Sequence, residues 1–204
     1  MAEMLENRYE KEYWNNDKYV MGIDEAGRGP LCGPLVVACC VLPLNYHNDE
    51  INDSKQLTDK KRRKLFQTII KDAHYFSFRI VSPKEIDELN IYAATKKAMD
   101  ELSRSTNIHA ITLTDAMPLE RHDVVSIIKG DAKSISIAAA SILAKVLRDC
   151  IMDGYNVLYP QYEYDRHKGY PTRRHLELMD QYGLNNIYRM SYKPCKDRQQ
   201  IKLF

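Results

Sequence analysis

The sequence predicts an α/β domain in which a mixed sheet is flanked by helices and followed by a helical C-terminal part. Strand patterns come first and then alternate with helical patterns, which is typical of a sheet covered by helices. The chain has 204 residues, of which 44% are hydrophobic, so it can bury roughly 70% of its unfolded surface without a metal ion or a disulfide. A net charge of only +2 excludes a mainly disordered chain.

The first half of the chain contains signals for three strands and three helices. The run Leu35–Leu42 is continuously apolar, which indicates a strand buried on both faces in the middle of a sheet. Thr58 and Ser82 can cap helix N-termini, and Pro83 suits a first helical position. The patterns predict strands over Tyr19–Asp24, Leu35–Leu42 and Tyr75–Val81, and helices over 1–18, 58–72 and 82–103.

The second half adds two strands and two helices. Ile108–Thr114 and Val124–Ile128 are β-rich runs that each end near an aspartate. Ile135–Met152 is a long alanine-rich helix, and a last helix is predicted near Thr172–Tyr182. No repeat or low-complexity linker separates these elements. We therefore divide the chain into a helical extension over 1–18, a main domain over 19–194 and a tail over 195–204.

Composition and patterning exclude two broad classes of protein. No run approaches the ~18 apolar residues of a membrane-spanning helix, and the acidic start lacks the order of a signal peptide. The five cysteines are an odd number without disulfide-framework or metal-site spacing, which favours reduced thiols. We expect a soluble cytoplasmic protein.

The near-neutral net charge conceals two basic segments. Residues 55–64 contain six Lys or Arg and one acid, and residues 160–204 contain nine Lys or Arg against five Asp or Glu. Such runs usually form solvated helix faces. Two basic segments around an acidic centre are also what an enzyme acting on a polyanion requires. Charge alone does not distinguish these interpretations.

Four acidic residues stand at or just after the ends of predicted strands. Asp24 and Glu25 end the first strand, Asp115 follows Ile108–Thr114, and Asp131 follows Val124–Ile128. When strands end at one edge of a sheet, their terminal side chains converge there. Clustered carboxylates repel each other, and a hard divalent cation such as Mg²⁺ relieves the repulsion. Two such ions activate a water and stabilise the leaving oxygen in phosphodiester hydrolysis.

Ordinary structural roles remain open for some of these acids. Asp24 and Glu25 are adjacent, and successive strand residues point to opposite faces, so both reach one metal only if the chain leaves strand geometry there. Asp131 precedes an alanine-rich helix and is equally well explained as a helix N-cap. Asp149 lies four residues after Lys145, which predicts a helical ion pair rather than a catalytic role.

Five sequence blocks resemble those of bacterial ribonuclease HII. They appear in the order found in that family and cover about residues 19–194. The sister type, ribonuclease HIII, is disfavoured by Ala26, Arg28 and Pro30 in the first block. The blocks are Gly22–Pro30 (GIDEAGRGP), Asp53–Leu57 (DSKQL), Lys129–Asp131 (KGD), Ser136–Lys145 (SIAAASILAK) and His167–Tyr170 (HKGY).

The resemblance implies a ribonuclease H-like fold with a five-stranded mixed sheet, flanking helices and a C-terminal helical subregion. It implies an endonuclease that cuts the RNA strand of RNA–DNA hybrids and single ribonucleotides embedded in duplex DNA. Two-metal-ion catalysis with Mg²⁺ or Mn²⁺ would leave 3′-hydroxyl and 5′-phosphate ends. We expect a monomer without membrane association. The alternatives are another nuclease of this fold and a catalytically silent hybrid-binding protein.

The resemblance also assigns roles to individual residues. Gly27, Arg28 and Gly29 match a loop that grips the ribonucleotide and its flanking phosphate, although glycines in such a run also form ordinary turns. Tyr170 matches a tyrosine that packs on the deoxyribose side of an RNA–DNA junction, with loop packing as the alternative. Many members have glycine where this chain has Ala116. The metal-binding acids are matched by Asp24, Glu25, Asp115 and Asp131, and contacts to the nucleic-acid backbone by Ser54 and Lys55.

The last five residues form a separate motif. Gln200, Ile201, Leu203 and Phe204 resemble the short Gln-Leu-x-Leu-Phe peptides with which bacterial replication proteins dock on the sliding clamp. The alternative is that Leu203 and Phe204 fold back onto the surface of the protein. The resemblance predicts weak docking, at about micromolar affinity.

Overall fold

The computed structural model describes residues 8–51 and 57–201. Its strands and helices agree closely with the predicted order. The strands are β1 (Tyr19–Ala26), β2 (Leu35–Val41), β3 (Tyr75–Val81), β4 (Ala110–Asp115) and β5 (Val124–Ile127). The helices are α1 (Arg8–Trp14), α2 (Asp59–Asp72), α3 (Pro83–Leu89), α4 (Ile91–Ser103), α5 (Ile135–Leu158), α6 (Tyr164–His167), α7 (Arg173–Tyr182) and α8 (Lys193–Ile201).

The five strands form one mixed sheet in the order β3-β2-β1-β4-β5. β2 is antiparallel to both β1 and β3, whereas β1, β4 and β5 run parallel to one another. Every residue of β2 is buried, which confirms its prediction as a central strand. The C-terminal ends of β1, β4 and β5 therefore meet at one edge of the sheet.

Helix α5 packs across β1 and β2 and forms the centre of the main core. Its first turns are rich in alanine and serine, and at Gly22 the helix lies so close to β1 that a side chain does not fit between them. A Cβ built on Gly22 would lie 2.0 Å from the carbonyl carbon of Ser136. The small residues of α5 therefore pack against the sheet at Gly22, two residues before Asp24.

The structure corrects several of the predicted elements. The helix expected over 82–103 divides at Asn90, whose backbone has a φ of 66° and whose side chain caps α4 by accepting two N–H groups. Helix α5 continues through Gly154 and ends six residues beyond Met152. α7 is not the last helix, since α8 follows it. β1 extends past Asp24 to Ala26.

The C-terminal part of the chain forms a third core, which is rich in tyrosine and covers the segment between β1 and β2. Tyr162 and Tyr164 stack with ring centroids 5.2 Å apart, and Leu31 and Cys32 are buried in the same cluster. The C-terminal helices therefore support the loop that follows β1. Within the described ranges, no helix has the length and apolar character needed to cross a bilayer.

Candidate active site

Three of the four predicted acids converge at the edge where the parallel strands end. Asp24 lies in β1, Asp115 is the last residue of β4, and Asp131 lies in a short 3₁₀ turn, Gly130–Ala132, between β5 and α5. Each offers one carboxylate oxygen, and the three oxygens lie within 4.8 Å of one another. The parallel arrangement thus brings Asp24 next to two side chains that lie about a hundred residues later in the sequence.

Hydrogen bonds from the backbone and from α5 orient these carboxylates. Asp24 Oδ1 accepts the N–H of Glu25 at 2.7 Å, and the hydroxyl of Ser141 on α5 also bonds this side chain. Asp115 Oδ1 accepts the N–H of Gly130 at 2.8 Å. Asp24 and Asp131 are buried, with only 5% and 4% of their surface exposed. Two backbone N–H groups and one hydroxyl of α5 therefore orient two of the three carboxylates.

The electrostatics of the cluster favour a bound cation. Burial raises the pKa of Asp24 well above its ordinary value, and the charges of Glu25 and Asp115 raise it further. The Ser141 hydroxyl and the Glu25 N–H lower the same pKa, but burial is the dominant cause. Three converging carboxylate oxygens are hard donors of the kind that Mg²⁺ and Mn²⁺ bind. The donor set thus fits a divalent ion of this class.

Glu25 is placed differently from the other three acids. It lies inside β1, where neighbouring side chains point to opposite faces. Its carboxylate is 3.5 Å from the guanidinium of Arg28, and it is not part of the three-acid group. The geometric objection raised by the adjacency of Asp24 and Glu25 therefore applies to this structure. A metal-binding role for Glu25 stays a prediction.

The glycine loop and Tyr170 lie side by side. Gly27 has a φ of 104°, and a Cβ there would lie 2.2 Å from Nε of Arg148, so both the backbone and the packing require glycine. A Cβ on Gly29 would meet only the Tyr170 ring, at 3.6 Å. Tyr170 is 41% exposed, and Arg28 is also exposed. Gly29, Arg28 and Tyr170 therefore border an open surface.

Two buried arginines hold this loop, and sequence reasoning did not identify them. Arg148 donates to the carbonyls of Pro34 (3.0 Å), Cys32 (3.3 Å) and Lys168 (3.0 Å). Arg189 donates twice to the carbonyl of Gly33 and once to that of Arg28. Burial lowers the pKa of Arg148 to about 10. In the sequence, Arg148 stands out only as an arginine on the apolar face of an alanine-rich helix, and Arg189 lacks even this signal.

A stacked histidine pair supports the backbone beside Tyr170. The rings of His167 and His175 have centroids 4.1 Å apart. His175 Nδ1 bonds the carbonyl of Tyr170 at 2.9 Å, and His167 Nδ1 accepts the N–H of Gly169 at 3.1 Å. Burial, followed by the charge of the neighbouring His167, lowers the pKa of His175 to about 4. Both rings therefore act as neutral hydrogen-bonding groups at neutral pH.

The remaining predicted site residues have mixed outcomes. Ser54 and Lys55 lie outside the described residues, so their predicted contacts stay untested. Part of the basic run on α2 is paired with acids of the same molecule, as Arg63 is with Asp153 at 3.1 Å. Asp149 forms the expected ion pair with Lys145 at 2.7 Å, but it is buried rather than on a polar stripe.

Known proteins are similar to this chain both in sequence and in structure. The Ribonuclease HII of Lactobacillus johnsonii is 43% identical over 194 residues, covering 94% of this chain and 78% of that protein. The ribonuclease H2 from Pyrococcus horikoshii OT3 has a TM-score of 0.78 at 28% identity, covering 90% of this chain and 98% of that chain. A chain in the PCNA:RNase HII complex from Archaeoglobus fulgidus has a TM-score of 0.73 at 26% identity, covering 86% of this chain and 95% of that chain.

These similarities extend over the sheet, the three-acid cluster and the C-terminal helices. The protein-family model described as Ribonuclease HII matches residues 21–195, which include the acids, the glycine loop and Tyr170. The expected ribonuclease H-like fold is confirmed by the solved structures. The chain belongs to the ribonuclease HII family, whose members are endonucleases that hydrolyse the RNA strand of RNA–DNA hybrids.

Proposed function

We propose that the chain cuts at single ribonucleotides embedded in duplex DNA as well as in longer RNA–DNA hybrids, leaving 3′-hydroxyl and 5′-phosphate ends. The observation that carries the proposal is the position of Asp24, one member of the acid cluster, on the strand β1 that leads directly into Gly27. A residue that reads one ribonucleotide is thereby only a few residues from Asp24. This arrangement supports recognition of a single sugar next to the scissile phosphate.

The proposed cofactor is Mg²⁺ or Mn²⁺, held by Asp24, Asp115 and Asp131 with Glu25 as a fourth ligand. The first three offer converging oxygens, and Glu25 adjoins them in sequence. When bound, two such ions activate a water and stabilise the leaving oxygen. The role of the chain itself is to orient the carboxylates, which the Ser141 hydroxyl and the N–H groups of Glu25 and Gly130 support.

Substrate recognition is proposed for the surface that borders the cluster. Gly29 has no side chain and is exposed, so its backbone is accessible to a ribose 2′-hydroxyl. Arg28, on release from Glu25, would contact the flanking phosphate. The exposed ring of Tyr170 would pack on the deoxyribose next to the ribonucleotide. Arg148 holds the glycine loop in position, and the pair of His167 and His175 holds the backbone of Tyr170.

The first experiment is cleavage of a DNA duplex with one embedded ribonucleotide, with Mg²⁺, with Mn²⁺ and with a chelator. We expect metal-dependent cleavage that Asp24→Asn abolishes while hybrid binding persists, because phosphate contacts do not need this carboxylate. Asp197→Asn, an exposed acid on α8, is the matched control and should retain activity. Hybrid binding without cleavage by the unaltered chain would favour the catalytically silent alternative.

The second experiment tests the proposed role of Tyr170. Tyr170→Ala should reduce cleavage at single ribonucleotides more than cleavage of long hybrids, because packing on a deoxyribose matters only at an RNA–DNA junction. Tyr92→Ala removes a similarly exposed tyrosine, 49% against 41%, from α4 and serves as the control. Equal losses on both substrates would show that Tyr170 has a structural role only.

We also propose a partner, the sliding clamp, for Gln200, Ile201, Leu203 and Phe204. The proposal is supported by the resemblance of these residues to clamp-docking peptides. It is also supported by the Archaeoglobus fulgidus relative, which was solved as a complex with PCNA. The described chain ends at Ile201 in α8, so Leu203 and Phe204 lie outside the described residues. The test is titration of the full chain and its Leu203→Ala/Phe204→Ala variant against the clamp of the same organism. Equal binding by both proteins would reject the motif.

A further inference from the structure

The short helix α1 buries a carboxylate that the active-site residues described above do not include. Glu10 is fully buried, whereas Lys11 and Glu12 beside it are exposed. Its Oε1 accepts the hydroxyl of Ser134 and the N–H of Ser136, the latter at 3.1 Å. Within the described residues, its Oε2 is buried without a hydrogen-bond partner. Burying a carboxylate with one unpaired oxygen is destabilising, so packing alone does not explain the position.

Glu10 completes the N-terminal cap of α5. Ser134 is the N-cap residue, and its hydroxyl oxygen accepts the N–H of Ile137 at 3.1 Å. Glu10 accepts the N–H of Ser136, so two side chains satisfy two of the donors that a first helical turn leaves unpaired. A carboxylate is also favourable at the positive end of the helix macrodipole. The cap therefore joins α1 to α5 across more than 120 residues of sequence.

The capped turn is continuous with the acid cluster. The N–H of Ser134 donates to the carbonyl of Gly130 at 2.9 Å. The N–H of Gly130 in turn donates to Asp115 Oδ1 at 2.8 Å, and Asp131 is the next residue of the same 3₁₀ turn. A displacement of Ser134 is therefore transmitted to the carboxylates of both Asp115 and Asp131.

We propose that Glu10 is a positioning residue of the metal centre, which it serves by fixing the turn that carries Asp131 and orients Asp115. The inference rests on the proposed function, since it takes the acid cluster as the site of a divalent ion. Loss of the Glu10 carboxylate loosens the turn and weakens metal binding. The glycine loop and Tyr170 belong to other elements, so the affinity for nucleic acid does not change.

The test compares Glu10→Gln with Glu12→Gln, an exposed residue of the same helix, in the full chain. Glutamine keeps the size of Glu10 and one acceptor oxygen but removes the charge. Calorimetric titration of the metal-free proteins with Mn²⁺ should show a dissociation constant raised about ten-fold in Glu10→Gln, as for other groups that support metal ligands. The Mn²⁺ concentration for half-maximal cleavage should rise in parallel, with the KM for the hybrid unchanged. Glu12→Gln should match the unaltered chain.

Ser134→Ala breaks the same connection from the α5 side and supplies a second measurement if Glu10→Gln does not fold. A variant that melts at a lower temperature but binds Mn²⁺ with the original dissociation constant overturns the proposal, because Glu10 is then only a structural cap. Failure of the unaltered chain to bind Mn²⁺ or to cut hybrids contradicts the proposed function instead. The two failures are therefore distinguishable.

Discussion

The contact between β1 and α5 makes Gly22→Ala a severe substitution despite its small size. The added Cβ would lie 2.0 Å from the carbonyl carbon of Ser136, 2.1 Å from its oxygen and 2.4 Å from the nitrogen of Ile137, all of them backbone atoms, whereas ordinary contacts begin at 3.4 Å. Backbone atoms cannot rotate away, so α5 must move from β1 by more than 1 Å. Overpacking of this kind costs about 3 kcal/mol, which lowers the melting temperature by roughly 6–12 °C in a domain of this size.

The assay is thermal unfolding of Gly22→Ala beside a control from the same chain. Gly154 lies in α5 with no atom within 4 Å of an added Cβ. Alanine is favoured over glycine in a helix interior, so Gly154→Ala should stabilise the protein by about 0.5–1 kcal/mol. Because Gly22 is two residues from Asp24, its substitution should also raise the Mg²⁺ concentration needed for cleavage. A Gly22→Ala protein that melts within 2 °C of the unaltered chain would refute the packing argument.

Three further predictions follow from the same structure. Ala116 has a φ of 50°, where glycine is less strained, so Ala116→Gly should stabilise the protein by up to about 1 kcal/mol in thermal melts. His175 has a pKa of about 4 in the folded protein against an ordinary 6.5, so stability is fully present above pH 6.5 and declines by up to about 1.4 kcal/mol per pH unit toward pH 4. Mg²⁺ or Mn²⁺ at about 100 times its dissociation constant should stabilise the chain by about 2.7 kcal/mol, and Asp24→Asn should lose most of this gain.

Each of these predictions has a clear contrary outcome. A lower melting temperature for Ala116→Gly would show that the alanine side chain contributes more than the strained backbone costs. A His175→Gln variant that loses stability with acid as steeply as the unaltered chain would place the responsible group elsewhere. An equal metal-induced shift in Asp24→Asn would mean that the ion binds outside the acid cluster.

The sequence was sufficient to predict features that depend on short-range patterns. The apolar run of β2 and the alternation in β3 define their strands, and both have the predicted positions within one residue. Asp115 and Asp131 were identified because each follows a β-rich run, and parallel strands place such residues at one edge. The break at Asn90 was missed because it depends on the local backbone and on the side-chain cap, which the sequence pattern does not show.

Contacts between distant segments were not predictable in the same way. Glu10 and Ser134 are 124 residues apart, and nothing in the pattern around Glu10 distinguishes it from the exposed Glu12. Arg148 resembles any arginine on a helix until the loop carbonyls around it are known. The resemblance to ribonuclease HII supplied motif residues but not the groups that support them.

The acid cluster combines an electrostatic cost with a rigid framework. Asp24 is buried beside Glu25 and Asp115, an arrangement that destabilises the metal-free fold because the carboxylates repel one another. The packing of α5 on β1 offsets this cost, since Gly22 allows the helix to approach and bring Ser141 to Asp24. The same helix begins at the cap completed by Glu10, whose N-cap residue Ser134 lies three residues after Asp131. One helix thus links the core to two of the acids, so substitutions that loosen its first turns should weaken metal binding before they unfold the protein.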